Sequence, residues 1–180
     1  MSTRPRPPAE PRRSGLLRAV RADSRGSAET LPAFPVVGVG ASAGGLDAFR
    51  QLLAHVPADS GMALVLVQHL EATRASLLSD ALAQATAMKV AQAEQGARIE
   101  PNRVYVIPPG VRMAIEQGVL KLSPLEEDEH RPHLPIDFFL RSLAAERGRR
   151  AIGVILSGTA SDGTAGLAAI RAQEIGRAHV

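Results

Sequence analysis

The sequence predicts an α/β fold, a doubly wound and mostly parallel sheet flanked by helices, with one antiparallel hairpin. Three observations carry that expectation. Short apolar runs of strand length recur at residues 34–39, 63–67 and 151–156, and each leads through a polar or glycine-rich turn into a stretch with helical spacing. The 180 residues are 45% hydrophobic but only 3% aromatic, so the core is built from Ala, Val, Leu and Ile, which suits buried parallel strands covered by helices. The length fits one domain of common size.

Taken in order, residues 34–39 form a strand, and Leu46, Phe49, Leu52, Leu53 and Val56 then mark a helix that Pro57 and Gly61 end. Residues 63–67 read as the next buried strand, stopping at Gln68-His69. Residues 76–87 follow as a helix with Leu77, Leu78, Leu82 and Ala85 on one face. Val104–Ile107 runs into Pro108-Pro109-Gly110. Residues 113–116 and 119–122 flank Gln117-Gly118, a two-residue turn of hairpin type. A polar loop over 126–133 precedes a helix from near Pro135 that is expected to bury Ile136, Phe138, Phe139 and Leu143. Residues 151–156 form a third buried strand, closed by a turn containing Asp162-Gly163 and followed by an Ala-rich helix from Thr164. The repeated strand-turn-helix unit makes the whole Rossmann-like.

Charge is uneven along the chain. Residues 1–30 hold seven Arg against Glu10, Asp23 and Glu29, which more than accounts for the net charge of +3 and leaves the remainder close to neutral. Residues 1–33 therefore read as a disordered Arg- and Pro-rich tail, and the folded part carries no basic surplus for nucleic acid. No apolar run is long enough for a signal peptide or a membrane span. The absence of cysteine removes disulfide and thiolate chemistry and fits a cytoplasmic protein.

The first turn has two functional spellings. From Gly40 through Ser42 to Gly44 it reads G-x-S-x-G, which holds a nucleophilic serine clear of its strand. From Gly38 through Gly40 to Ala43 it reads G-x-G-x-x-A, a dinucleotide-binding turn. A turn without chemistry is the third reading. A dinucleotide site requires an acidic residue at the end of the second strand, and Gln68-His69 stands there instead. Ligands gather at the carboxyl ends of strands in such sheets, and Ser42, His69 and Asp162 all fall at that edge. These are the residue types of a nucleophile, its general base and the carboxylate that orients the base. Each also has a structural reading: His69 as a hydrogen-bonded strand-end residue, Asp162 as a cap of the helix that follows it. His130 and His133, near Glu127 and Glu129, read as solvated loop charge rather than a metal site.

Gly40-Ala41-Ser42-Ala43-Gly44-Gly45, Val67-Gln68-His69, Ile107-Pro108-Pro109-Gly110, Gly153 through Gly158 and Ser161-Asp162-Gly163 occur in the order and with the spacing that resemble the catalytic domain of the CheB-type chemotaxis protein-glutamate methylesterases. The resemblance covers residues 34–173 and leaves 174–180 as an unrelated tail on an incomplete domain. It implies Ser42 as nucleophile, His69 as base and Asp162 as carboxylate. Oxyanion and substrate contacts would come from Ala43, Gly44 and Thr159, with backbone N–H groups in place of a Thr hydroxyl at Ala43. It further implies hydrolysis of glutamate γ-methyl esters on chemoreceptors, related glutamine deamidation, no cofactor, no metal and no nucleic-acid partner. Contact with the membrane would be through the receptor alone. Residues 133–139 are most similar to the branch in which this domain is fused to a methyltransferase and sensory domains, so phosphorylation of a receiver domain is not implied. A catalytically idle domain that regulates an attached methyltransferase is the alternative.

Overall fold

The computed structural model describes residues 34–42, 45–68, 75–125, 133–157 and 161–175. The expected tail over 1–33 and the final residues 176–180 lie outside them.

Five strands form one parallel sheet: β1 (Val36–Ala41), β2 (Ala63–Gln68), β3 (Lys89–Gln92), β4 (Arg103–Val106) and β7 (Ala151–Ser157). Their order is β3-β4-β2-β1-β7, so β1 lies between β2 and β7. The expected hairpin is present as a separate antiparallel pair, β5 (Val111–Glu116) and β6 (Val119–Pro124). Its turn puts Gln117 at φ 51° and Gly118 at φ 76°, the two left-handed positions that a two-residue hairpin turn requires. The helices are α1 (Gly45–His55), α2 (Ala75–Ala83), α3 (Pro135–Arg147) and α4 (Thr164–Ile175).

Two apolar layers lie on the two faces of the sheet. Val37, Val39, Leu64, Leu66 and Val104 pack with Phe49 and Leu53 of α1 and Leu78 and Leu82 of α2. Val36, Val65, Val67 and Tyr105 pack on the other face with α3, α4 and the hairpin. Alternation along β1 explains how one strand serves both layers. Its α3-facing positions include Gly38 and Gly40, where a Cβ would come within 2.6 Å of Leu140 Cδ2 and 2.5 Å of Ile136 Cγ2 respectively. The two glycines let α3 lie directly on the β1 backbone.

Helix α3 is held there by Ile136, Phe139, Leu140 and Leu143, spaced i, i+3, i+4, i+7 and each at most 3% exposed. Full burial of such side chains stabilises by about 1.5–3 kcal/mol apiece. Phe138, expected in that core, is instead 39% exposed. It falls one residue off the buried stripe, about 100° around the helix, and its ring lies 5.1 Å below the Arg112 guanidinium carbon. The hairpin docks on the same helix by polar contacts: Ile115 N–H donates to Ser142 Oγ (3.1 Å) and Gly118 N–H to Glu146 Oε1 (2.8 Å).

Two strands differ from expectation. β7 is an edge strand rather than a fully buried one, with Ile152 40% exposed, because among the described residues it pairs only with β1. β3 has no apolar run to announce it: Lys89 and Gln92 are exposed, and its place is fixed by pairing with β4 at the opposite edge.

Candidate functional site

The connections after β1 and β7 leave to opposite faces of the sheet. β1 leads into α1, in one apolar layer, and β7 into α4, whose Ile170 belongs to the other. Adjacent parallel strands with diverging helices define a crevice at their carboxyl ends, where open α/β sheets bind ligands. Ser42 follows β1 on one side of that crevice, and Asp162 lies in the turn after β7 on the other. The registers agree at this edge: Ala41 pairs with Gln68 of β2 and with Ser157 of β7, with an irregularity in the β1–β7 ladder between Gly40 and Ala41.

Ser42 is half-buried and begins a tight turn, its carbonyl accepting the Gly45 N–H at 2.9 Å. The same carbonyl accepts Gln68 Nε2 at 3.2 Å. Gln68 thus ties the end of β2 to the serine turn, and a Cβ on Gly45 would press on both Ala41 Cβ (2.8 Å) and the Gln68 amide carbon (3.2 Å). This tie between β2 and the serine turn is not announced by the local sequence. Its only signal was a polar residue ending an otherwise apolar strand. Gln68 Oε1 is buried with no partner among the described residues. Replacing Gln68 by Leu removes one hydrogen bond worth about 0.5–1.5 kcal/mol together with a buried acceptor whose desolvation costs about 1–3 kcal/mol. Stability should therefore change by less than about 1 kcal/mol, measured by urea titration.

Asp162 is 6% exposed. Its oxygens accept two backbone N–H groups, Asp137 N to Oδ1 at 2.8 Å and Ile136 N to Oδ2 at 3.1 Å. These belong to the first turn of α3, where Pro135 has no N–H and Leu134, at the N-cap, makes no side-chain cap bond. The capping role expected toward the helix that follows Asp162 is thus directed to a helix 25 residues earlier in the chain. Both bonds place the Asp162 side chain at the N-terminal end of α3.

Gly163 completes the turn at φ 102°, and a Cβ there would lie 2.5 Å from Ile155 Cδ1 and 3.2 Å from Ile136 Cγ2. Gly163→Ala combines a backbone conformation costing about 1–3 kcal/mol with overpacking. A loss of about 2–4 kcal/mol is expected, read as a lower denaturation midpoint at unchanged m-value.

Of the residues predicted for the site, Ser42 and Asp162 occupy the two turns that flank the crevice. His69, Ala43, Gly44 and Thr159 lie outside the described residues, as do Glu127, Glu129 and His130. His133 is exposed, and among the described residues no group of three His, Cys, Asp or Glu could hold a metal ion. No helix among them is long and apolar enough to cross a membrane. The dinucleotide spelling loses its glycines to packing: Gly38 and Gly40 face α3 rather than a phosphate.

A parallel sheet with a serine turn and a buried carboxylate flanking its crevice has the layout of an α/β enzyme domain. Residues 37–176 match the CheB methylesterase family, and the chain belongs to it. It is similar to the protein-glutamate methylesterase/protein-glutamine glutaminase 2 of Xanthomonas oryzae pv. oryzae, 36% identical over 137 residues, covering 73% of this chain and 37% of that protein. A protein-glutamate methylesterase/protein-glutamine glutaminase of Syntrophotalea carbinolica is 37% identical over 139 residues, covering 76% of this chain and 39% of that one. The chain thus spans less than two fifths of the length of these relatives. The fold is shared with the CheB methylesterase catalytic domain of Thermotoga maritima, with a TM-score of 0.71 at 24% identity over 79% of this chain and 77% of that one.

Proposed function

We propose that this domain hydrolyses glutamate γ-methyl esters on chemoreceptors in the cytoplasm, giving glutamate and methanol, with glutamine deamidation as a related reaction at the same site. What supports this reading is the position of Ser42 in the turn after β1 and of Asp162 in the turn after β7, its neighbour in the sheet, in a chain of the CheB methylesterase family. The relatives' names supply the substrate class.

In this reading His69, which follows Gln68 in the chain, takes the Ser42 proton as Oγ attacks the γ-carbonyl carbon. In the same reading, backbone N–H groups of Ala43 and Gly44 stabilise the tetrahedral oxyanion, and Thr159 supplies a further oxyanion or substrate contact. Collapse breaks the bond to the methoxy oxygen, which leaves as methanol with the proton held by His69, and water then releases the acyl group from Ser42. Asp162 holds the His69 tautomer. A carboxylate offers about four acceptor positions, so the two bonds to α3 do not exhaust it. The chemistry calls for no cofactor. A fused methyltransferase and sensory domains are the proposed neighbours in the full protein.

The test is methanol release from methylated receptor membranes incubated with this chain. Release above that of heat-inactivated protein supports the reading, and none from folded protein rejects it in favour of an idle regulatory domain.

A further inference from the structure

Asp137 is a second buried carboxylate beside the site, 6% exposed, and the reaction scheme does not use it. Its Oδ1 accepts the Gly166 N–H at 2.6 Å. Gly166 is the third residue of α4, so Asp137 supplies to α4 the same service that Asp162 supplies to α3. Each helix start is capped by a carboxylate belonging to the other's segment. The arrangement depends on close approach of the two helices: a Cβ on Gly166 would lie 2.5 Å from Leu140 Cβ and 3.3 Å from Asp137 Cα. It also has a fixed end, since Ile136, Phe139 and Leu140 pin α3 to the sheet on either side of Asp137.

The geometry points to Asp137 as a positioning residue for the hydrolytic site, one that locks the turn bearing Asp162 by anchoring the start of α4 to α3. The Asp162 carboxylate is held from one side by α3 amides, while its own backbone, two residues before Thr164, runs directly into α4. If α4 slides, that backbone moves while the α3 amides stay in place, and the carboxylate cannot remain aligned with both. Asp137 opposes the slide by a charge-assisted bond to the first turn of α4. The catalytic consequence rests on the esterase reading above, whereas the lock itself does not.

The test compares Asp137→Ala with Asp137→Asn, whose Oδ1 can still accept from Gly166, by two readouts on the whole chain. In amide exchange followed by NMR, the Ala variant should exchange at least about 10-fold faster at Gly166 and also at Ile136, while the Asn variant stays near wild type at both. In methanol release, measured well below each variant's unfolding temperature, kcat should fall about 10- to 100-fold in Asp137→Ala with KM within about twofold, and Asp137→Asn should recover most of it. Faster exchange confined to Gly166, or an unchanged kcat in a folded Ala variant, overturns the proposal. If wild type releases no methanol, the esterase reading fails, and exchange at Ile136 alone decides the lock. Should the Ala variant not fold, Asp137→Ser takes its place, its hydroxyl being one bond too short to replace the carboxylate.

Discussion

Ser42→Ala is expected to lower kcat/KM for methyl-ester hydrolysis by about 10⁴-fold or more while leaving the fold and its stability nearly unchanged. In the proposed reaction the loss follows from removing the nucleophilic atom, which leaves only binding and oxyanion stabilisation. The stability expectation has a separate basis. Ser42 holds its turn through its backbone carbonyl, which accepts from Gly45 N and Gln68 Nε2, and neither bond involves the hydroxyl. A half-buried substitution that spares those contacts should change stability by no more than about 0.5 kcal/mol. Methanol release and a thermal melt on the same preparation separate the two effects. Equal release from wild type and variant would remove Ser42 from the mechanism, and a large fall in Tm would show that the hydroxyl holds the turn.

How much of this was legible beforehand depends on whether the signal was local. Strands β1 and β2 announced themselves because both their faces are buried and their residues are almost all apolar. The hairpin was legible because Gln117-Gly118 satisfies a turn rule involving two residues only. β3 was not, because an edge strand of four residues with exposed Lys89 and Gln92 is specified by its partner β4 rather than by its own pattern. Phe138 was misplaced for a related reason. Apolar residues at 136, 138, 139 and 143 do not say which of them faces the sheet, and the closeness of α3 to Gly38 and Gly40 resolves it.

The site divides in the same way. Ser42 and Asp162 stand in glycine-containing turns whose short-range spelling is visible in the chain, and the sheet order brings those turns to neighbouring strands. What holds them was invisible. The Gln68 tie spans 26 residues, and the α3 caps on Asp162 span 25 and 26. Such contacts exist only once β1 lies between β2 and β7 with α3 across it. The glycines show the difference most sharply: read locally, Gly38 and Gly40 spelled a phosphate turn, whereas in three dimensions they are the groove that seats α3 and, through it, the carboxylate.

That dependence makes Asp162→Asn the complementary experiment to Ser42→Ala, because here structure and chemistry should fail together. The carboxylate uses both oxygens, one for each α3 amide. Asn has a single carbonyl oxygen, so one amide of α3 keeps its acceptor and the other faces an NH₂ group. The cost is that of an unsatisfied buried donor with the loss of a charge at a helix N-terminus, about 1–3 kcal/mol. At about 3 °C per kcal/mol for a domain of this size, Tm should fall by about 3–9 °C. Activity should fall further than stability alone explains. In the proposed reaction a neutral amide stabilises an imidazolium poorly and permits the wrong His69 tautomer, an exchange that costs about 10⁴-fold in serine-protease triads. At a temperature where the variant is folded, methanol release near the wild-type level would remove Asp162 from the chemistry and leave it as a helix cap. An unchanged Tm would show instead that the α3 amides find other acceptors when the second oxygen is lost.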